Sequence, residues 1–136
     1  MKNELHSRDC QNVRLMKHKP IPKSIRLEVY EKCNHRCAYC GCELEYKDMQ
    51  VDHLIALENG GKDSLENYMP SCRQCNFYKH TYDIETFRYC LENIIMKKVI
   101  GLFQFRLAEK YGLVERHDKK IKFYFEELEE VLVEEI

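Results

Sequence analysis

The chain has 136 residues, 44% of them apolar, which suffices for a single domain with a small core. No run approaches the roughly 20 apolar residues of a membrane-spanning helix, and the first 20 residues lack the apolar stretch of a signal peptide. We therefore expect an intracellular protein, cytoplasmic or phage-encoded, with no membrane partner. In that reducing setting its eight cysteines indicate metal binding before disulfides.

The formal net charge of -1 conceals an uneven distribution along the chain. Residues 126–136 contain six acidic and no basic residues, so residues 1–125 carry 22 basic against 17 acidic residues, a net charge of +5. Residues 1–26 alone contain seven basic and two acidic residues. A basic N-terminal arm, residues 1–24, is compatible with phosphate contacts in nucleic acid, and also with a plain solvated tail.

The first half of the chain alternates short apolar segments with turn-forming residues. The alternating Ile25, Leu27 and Val29 favour a strand, with a short helix as the alternative because the run is too short for periodicity to decide. Residues 49–57 predict a strand region, and the Asn-Gly-Gly sequence within 58–64 predicts a loop. A helix is expected from Arg73 to about Lys79.

The second half of the chain predicts helices. Asp83 is a suitable N-cap for a helix whose apolar face recurs at helical spacing, at Phe87, Cys90, Leu91, Ile94 and Ile95. A further helix is expected from about Ile100 to Tyr111, ending at Gly112. Alternating apolar residues make 120–126 a strand candidate, while the alternative extends a helix back from the acidic end.

Two cysteine pairs with the same internal spacing predict a metal site. Cys37 and Cys40 form one Cys-x2-Cys pair, and Cys72 and Cys75 form the other. Each pair can direct two thiolates to one ion from a tight turn, and four thiolates at about 2.3 Å make a closed tetrahedral zinc site. With no open position, this Zn2+ would hold structure and perform no chemistry.

Four further cysteines are surplus to that site: Cys10, Cys33, Cys42 and Cys90. Cys90 falls on an apolar helix face, where a buried core residue is expected. Cys33 and Cys42 lie close to the first pair in sequence, so each is an alternative ligand.

A second group of polar residues lies between and after the cysteine pairs. Asp52 and His53 stand together between apolar residues, and an ionised carboxylate is costly to bury unless it is paired or bound to metal. Asn67 follows, Asn76 comes directly after a predicted zinc ligand, and His80 lies four residues later on the same helical face. Adjacent strand residues point to opposite faces, so Asp52 and His53 can share a site only at a strand end or bend.

The segment from Cys37 to His80 resembles the HNH endonucleases. Cys-x2-Cys, Asp-His, Gly-Gly, Asn, Cys-x2-Cys-Asn and a following Lys stand in that family's order and cover about a third of the chain. The resemblance implies an α+β fold with a small, treble-clef-like ββα-metal core around a structural zinc, followed by additional C-terminal helices. It places the nuclease core at residues 25–82 and a helical extension of the same domain at 83–136.

The resemblance also implies a role for each matching position. His53 would be the general base that takes a proton from water, and Asn67 would orient it. Asp52 and Asn76 would hold a catalytic divalent cation, with His80 as an additional ligand. For the basic residues Lys79 and Arg73 we expect contacts with nucleic acid.

These residue types suit phosphodiester hydrolysis. Hard oxygen ligands such as Asp52 and Asn76 favour Mg2+ or Mn2+, while ligation by His80 would shift the preference toward Mn2+, Ni2+ or Zn2+. We expect a metal-dependent endonuclease whose partner is DNA, in the double-stranded form that the family implies. The alternative is a non-catalytic zinc knuckle that binds nucleic acid or protein, and a dimer is left open.

Overall fold

The fold is built on a two-stranded antiparallel sheet with a helix packed against it. A computed structural model describes residues 19–136, so most of the predicted basic arm, and Cys10, lie outside the described residues. The strands are β1 (Gln50–His53) and β2 (Tyr68–Ser71), and the helices are α1 (Lys23–Lys32), α2 (Arg73–Lys79), α3 (Ile84–Tyr89), α4 (Met96–Gly101), α5 (Phe103–Lys110) and α6 (Tyr124–Glu134). The β1, β2 and α2 elements form the ββα unit expected from the sequence, within an α+β chain.

The pairing of the two strands aligns the residues of the candidate site. Gln50 lies opposite Ser71, Asp52 opposite Met69, and His53 opposite Tyr68. His53 is the last residue of β1, which meets the geometric condition for Asp52 and His53 to share one site. Helix α2 begins one residue after Cys72, whose side chain caps it by accepting the N–H of Cys75.

Helix α1 corrects the strand favoured at residues 25–30. Ile25, Val29 and Cys33 recur at intervals of four and face the core, whereas Leu27, part of the alternating pattern, is 42% exposed. Lys32 fixes the end of this helix, because its ammonium donates to the carbonyls of Leu65, Glu66 and Tyr68. The helical alternative is therefore correct, and α1 anchors the chain that enters β2.

The C-terminal helices follow the predicted order, but the helix predicted from about Ile100 begins at Phe103, because Ile100 belongs to the preceding helix α4. Asp83 caps α3 through a 2.7 Å bond from the Thr86 N–H, as predicted. The helical run continues through a π-helical segment, Cys90–Ile95, into α4, and Leu102 separates α4 from α5. Gly112 follows α5 with φ +73°, as expected of a helix-terminating glycine.

The strand expected at residues 120–126 does not form, because α6 begins at Tyr124. The carboxylate of Glu126 accepts the N–H of Phe123 at 2.9 Å and so caps the first turn. The N–H groups of Tyr124 and Phe125 donate to the carbonyls of Tyr39 and Ala38. These two bonds attach the start of α6 directly to the first cysteine turn.

An aromatic cluster joins the first cysteine turn to the C-terminal helices. Phe87 of α3 stacks on Phe123 with centroids 5.1 Å apart, and Tyr39 meets both rings edge-on. Phe87 and Phe123 are 1% exposed. Arg88 lies over the Phe123 ring and pairs with Glu126, which ties α3 to α6.

Among residues 19–136, none of the helices is long and apolar enough to cross a bilayer.

Replacing Phe123 with alanine should destabilise the chain strongly. Emptying a fully packed aromatic site costs about 3–5 kcal/mol, whereas Phe103→Ala at a 66% exposed position should cost little. Urea unfolding of the zinc-loaded proteins, followed by circular dichroism, measures both. Equal losses in the two variants would contradict the placement of Phe123 in the core.

Candidate functional site

The four predicted zinc ligands lie together. The Sγ atoms of Cys37, Cys40, Cys72 and Cys75 are all within 4.8 Å of one another, and Cys40 and Cys72 are 3.9 Å apart. Thiolates bound at about 2.3 Å around a tetrahedral ion lie about 3.8 Å apart, so the donor set fits zinc. Within the described residues, this is the one group of three or more His, Cys, Asp or Glu ligands close enough to share an ion.

Hydrogen bonds favour the thiolate form at the centre of this cluster. A bond from the Cys75 thiol, helped by the backbone N–H groups of Cys72, Cys40 and Tyr39, lowers the pKa of Cys37 to about 4 against the opposing effect of burial. A thiolate is the form that binds zinc.

The surplus cysteines within the described residues lie outside the four-sulfur group. Cys33 is 2% exposed in the core, and burial raises its pKa to about 11, so it remains a thiol. Cys90 is also buried, in agreement with its predicted place on the core face of a helix. Cys42 is exposed.

A buried ionic network connects β1, α2 and the first cysteine turn. Oδ2 of Asp52 accepts the Tyr39 hydroxyl at 2.5 Å and lies 2.9 Å from Nζ of Lys79. Lys79 is 0% exposed and also donates to the carbonyl of His53. Burial, followed by the charge of Asp52, raises the pKa of Tyr39, so Tyr39 stays a hydrogen-bond donor.

The buried network contradicts the predicted nucleic-acid contact of Lys79 and limits how Asp52 could bind a cation. A fully buried ammonium paired with a carboxylate cannot also contact a phosphate on the surface, so the predicted nucleic-acid contact at Lys79 does not fit the structure. Arg73, also predicted to contact nucleic acid, is exposed on the first turn of α2. Both contacts of Asp52 fall on Oδ2, so ligation of a cation would use Oδ1.

A depression on the surface gathers most of the other predicted residues. Asp52, His53, Asn76 and His80 line a cavity of about 360 Å³. Nδ2 of Asn76 donates to Oε1 of Gln50 at 2.6 Å, which orients the amide and leaves its oxygen for a cation. Gln50 was not predicted as a site residue, although its place two residues before Asp52 puts it on the same strand face.

His80 lies at the end of α2 in an unusual backbone conformation. Its φ of 48° and ψ of -121° are rare for a residue with a side chain, and such strain is concentrated at functional sites. The residue is exposed and borders the depression one helical turn after Asn76. A ligand role for His80 stays a prediction.

Asn67 holds a loop beside the depression through three hydrogen bonds to the loop backbone. Its side chain accepts the Ile55 N–H and donates to the carbonyls of Ile55 and Lys62, all at 2.9 Å. A Cβ on Gly61 would lie 1.7 Å from the Ile55 carbonyl oxygen, so only glycine fits there. Orientation of His53 by Asn67, as predicted, would therefore act through this loop.

The same loop carries a site residue that was not predicted from the sequence. Asp63, directly after Lys62, places Oδ1 2.7 Å from Nε2 of His53. The ring of Tyr68 meets the His53 ring edge-on, at 5.3 Å between centroids. The signal in the sequence was an acidic residue two positions after the Gly-Gly pair, but its partner depends on the loop conformation.

Removing one predicted zinc ligand should remove the ion. We expect Cys72→Ser to lose the single zinc per chain and to unfold at lower temperature, because Cys72 also caps α2. Cys42→Ser is the matched control and should retain one zinc. Native mass spectrometry reports both metal contents. Retention of zinc in Cys72→Ser, or its loss in Cys42→Ser, would contradict the ligand set.

Breaking the buried ion pair should also destabilise the chain. Lys79→Met would leave the Asp52 carboxylate buried without its cation, which costs about 3–5 kcal/mol. The control Lys98→Met removes an exposed lysine from α4 and should change the stability little. Urea unfolding measures both. If the two variants lose the same stability, the pair does not stabilise the fold.

Comparisons with known proteins agree with this geometry. The model of the HNH endonuclease family matches residues 37–81. Septu protein PtuB of Bacillus thuringiensis is 31% identical over 94 residues, covering 54% of this chain. The Bacillus subtilis (strain 168) protein named "SPbeta prophage-derived putative HNH endonuclease YoqL" is 27% identical over 87 residues, covering 55% of this chain.

The similar segments are parts of larger proteins. The aligned region spans 37% of PtuB and 38% of YoqL. Among solved structures, the Type II-C Cas9 enzyme from Actinomyces naeslundii aligns with a TM-score of 0.47 and 21% identity, covering 71% of this chain and 11% of that one. The family match encloses both cysteine pairs, the Asp52-His53 step and Asn76, so this chain carries an HNH endonuclease domain at residues 37–81.

Proposed function

We propose that this chain is a metal-dependent endonuclease that hydrolyses phosphodiester bonds in double-stranded DNA. The observation that carries the proposal is that His53, at the end of β1, and Asn76, on the cysteine-anchored helix α2, border one surface depression. A base and a hard oxygen ligand are the two groups that metal-assisted hydrolysis of a phosphodiester requires.

His53 is the general base of the proposed reaction. A neutral imidazole accepts the proton of a water molecule near pH 7, and the water oxygen then attacks the phosphorus. The bond between phosphorus and the 3′ oxygen breaks and that oxygen takes a proton from solvent, so the products carry a 3′-hydroxyl and a 5′-phosphate, as in the family that the domain belongs to. Lys79 holds the carbonyl of His53 at 2.9 Å and so fixes the backbone from which the base extends.

Asp52 and Asn76 are the proposed ligands of the catalytic cation. Oδ1 of Asp52 and the amide oxygen of Asn76 are hard donors that suit Mg2+ or Mn2+, and His80 would add a ligand for Mn2+, Ni2+ or Zn2+. A bound divalent cation supplies charge stabilisation to the scissile phosphate and its leaving oxygen. Asn76 keeps its orientation through Gln50 and through the zinc ligand Cys75 beside it.

Arg73 is the proposed nucleic-acid contact on this face. It is exposed at the start of α2, the same helix that carries Asn76. A guanidinium binds phosphate in a bidentate manner without reading sequence, so Arg73 would position the duplex and leave specificity to other residues.

Plasmid cleavage tests the proposal. Purified protein should nick or linearise plasmid with Mg2+ or Mn2+ and should stop with EDTA. His53→Ala should lower the rate by about 10²–10⁴-fold, the usual contribution of a general base. His117→Ala, at an exposed position outside the depression, is the matched control and should cleave as the wild type does.

Two results would contradict the proposal. Cleavage unchanged in His53→Ala would remove the assigned base. Tight DNA binding without cleavage, under every cation tried, would instead indicate a zinc knuckle that only binds nucleic acid.

A further inference from the structure

The loop that follows β1 places a carboxylate directly on the proposed base. Oδ1 of Asp63 lies 2.7 Å from Nε2 of His53, a distance typical of a charge-assisted hydrogen bond. The His53 side chain is 16% exposed and that of Asp63 50%, so the contact lies at the edge of the depression. Asp63 lines the same depression as His53 and Asn76.

Asp63 is itself held from a second direction. The hydroxyl of Tyr68 donates to the same Oδ1 at 3.4 Å, and Tyr68 lies directly opposite His53 in the β1–β2 pair. Tyr68 is 7% exposed, and burial, together with the charge of Asp63, raises its pKa, so it remains the donor of this bond. The two rings also meet edge-on, which fixes His53 against the sheet.

The backbone before Asp63 is fixed by the family's asparagine. Asn67 binds the carbonyls of Ile55 and Lys62, and Gly61 lies against Ile55 where no side chain fits. Asp63 is the next residue after Lys62, so its position depends on these contacts of Asn67 and Gly61. The chain of contacts therefore runs from Asn67 through the loop to Asp63 and then to His53.

We propose that Asp63 is the positioning residue of the general base, holding the His53 ring in the tautomer that carries its proton on Nε2. In that tautomer Nδ1 is the nitrogen that accepts the proton from water. The carboxylate then stabilises the imidazolium that forms, as a buried aspartate does in the serine protease triad. This inference rests on the proposed function, in which His53 is the base.

The tautomer can be measured without any nuclease activity. Long-range ¹H–¹⁵N NMR spectra of the zinc-loaded protein distinguish the two ring nitrogens, and His53→Ala assigns the signals. We expect the Nε2–H tautomer in the wild type and a mixture of both tautomers in Asp63→Ala. A wild-type ring with its proton on Nδ1, or a tautomer that Asp63→Ala leaves unchanged, would overturn the proposal.

Kinetics give the second readout. Asp63→Asn should lower kcat for plasmid cleavage by about 10- to 100-fold with little change in KM, since Asp63 is proposed to act through His53. Asp63→Glu should recover part of the rate, because it restores a carboxylate. Glu66→Gln removes an equal charge from an exposed position in the same loop, outside the depression, and is the matched control.

These experiments distinguish a failure of this inference from a failure of the proposed function. If the wild type cleaves and Asp63→Asn cleaves equally fast, the positioning role is wrong and the nuclease assignment stands. A faster Asp63→Asn would show that the carboxylate restrains the base, which also overturns the proposal. If the wild type does not cleave, the proposed function fails, and the tautomer alone decides whether Asp63 orients His53.

Discussion

The buried pair of Lys79 and Asp52 is the interaction on which the rest of the site depends. A lysine with no exposed surface is retained because its ammonium meets a carboxylate at 2.9 Å and a backbone carbonyl at the same distance. Asp52 belongs to β1, Lys79 to α2, and Tyr39, the third partner, to the first cysteine turn. One carboxylate therefore joins β1, α2 and the first cysteine turn, and its partner Lys79 also binds the backbone carbonyl of His53.

The four-cysteine cluster and the surface depression are separate sites, and α2 connects them. Cys72 caps this helix and Cys75 lies in its first turn, while Asn76 and His80 extend from the same helix to the depression. The aromatic cluster of Tyr39, Phe87 and Phe123 extends the support to the C-terminal helices. Because α6 donates two N–H groups to the first cysteine turn, this C-terminal helix packs directly against the segment that carries the first cysteine pair.

The features that were predicted correctly from the sequence are those that depend on residues close together in the chain. Paired cysteines, the Asp83 cap and the helix after Cys72 follow from short-range geometry, and the order of Asp52, His53, Asn67 and Asn76 indicated the family. The strand predictions at 25–30 and 120–126 were wrong. Both segments alternate apolar and polar residues, but the first lies in helix α1 and the second leads into helix α6. The burial of Lys79 and the reach of Asp63 to His53 depend on contacts between segments that are distant in sequence, so no local pattern revealed them.

We propose that a closed zinc site supports a separate, open site where a second cation meets DNA. Crystals of the His53→Ala variant with a DNA duplex and Mn2+, measured at the zinc and manganese absorption edges, test it most directly. We expect zinc within the four thiolates and manganese in the depression, bound by Asn76 and Asp52 and by a phosphate oxygen. A duplex bound with no metal in the depression, or manganese only among the cysteines, would show that this division into two metal sites is wrong.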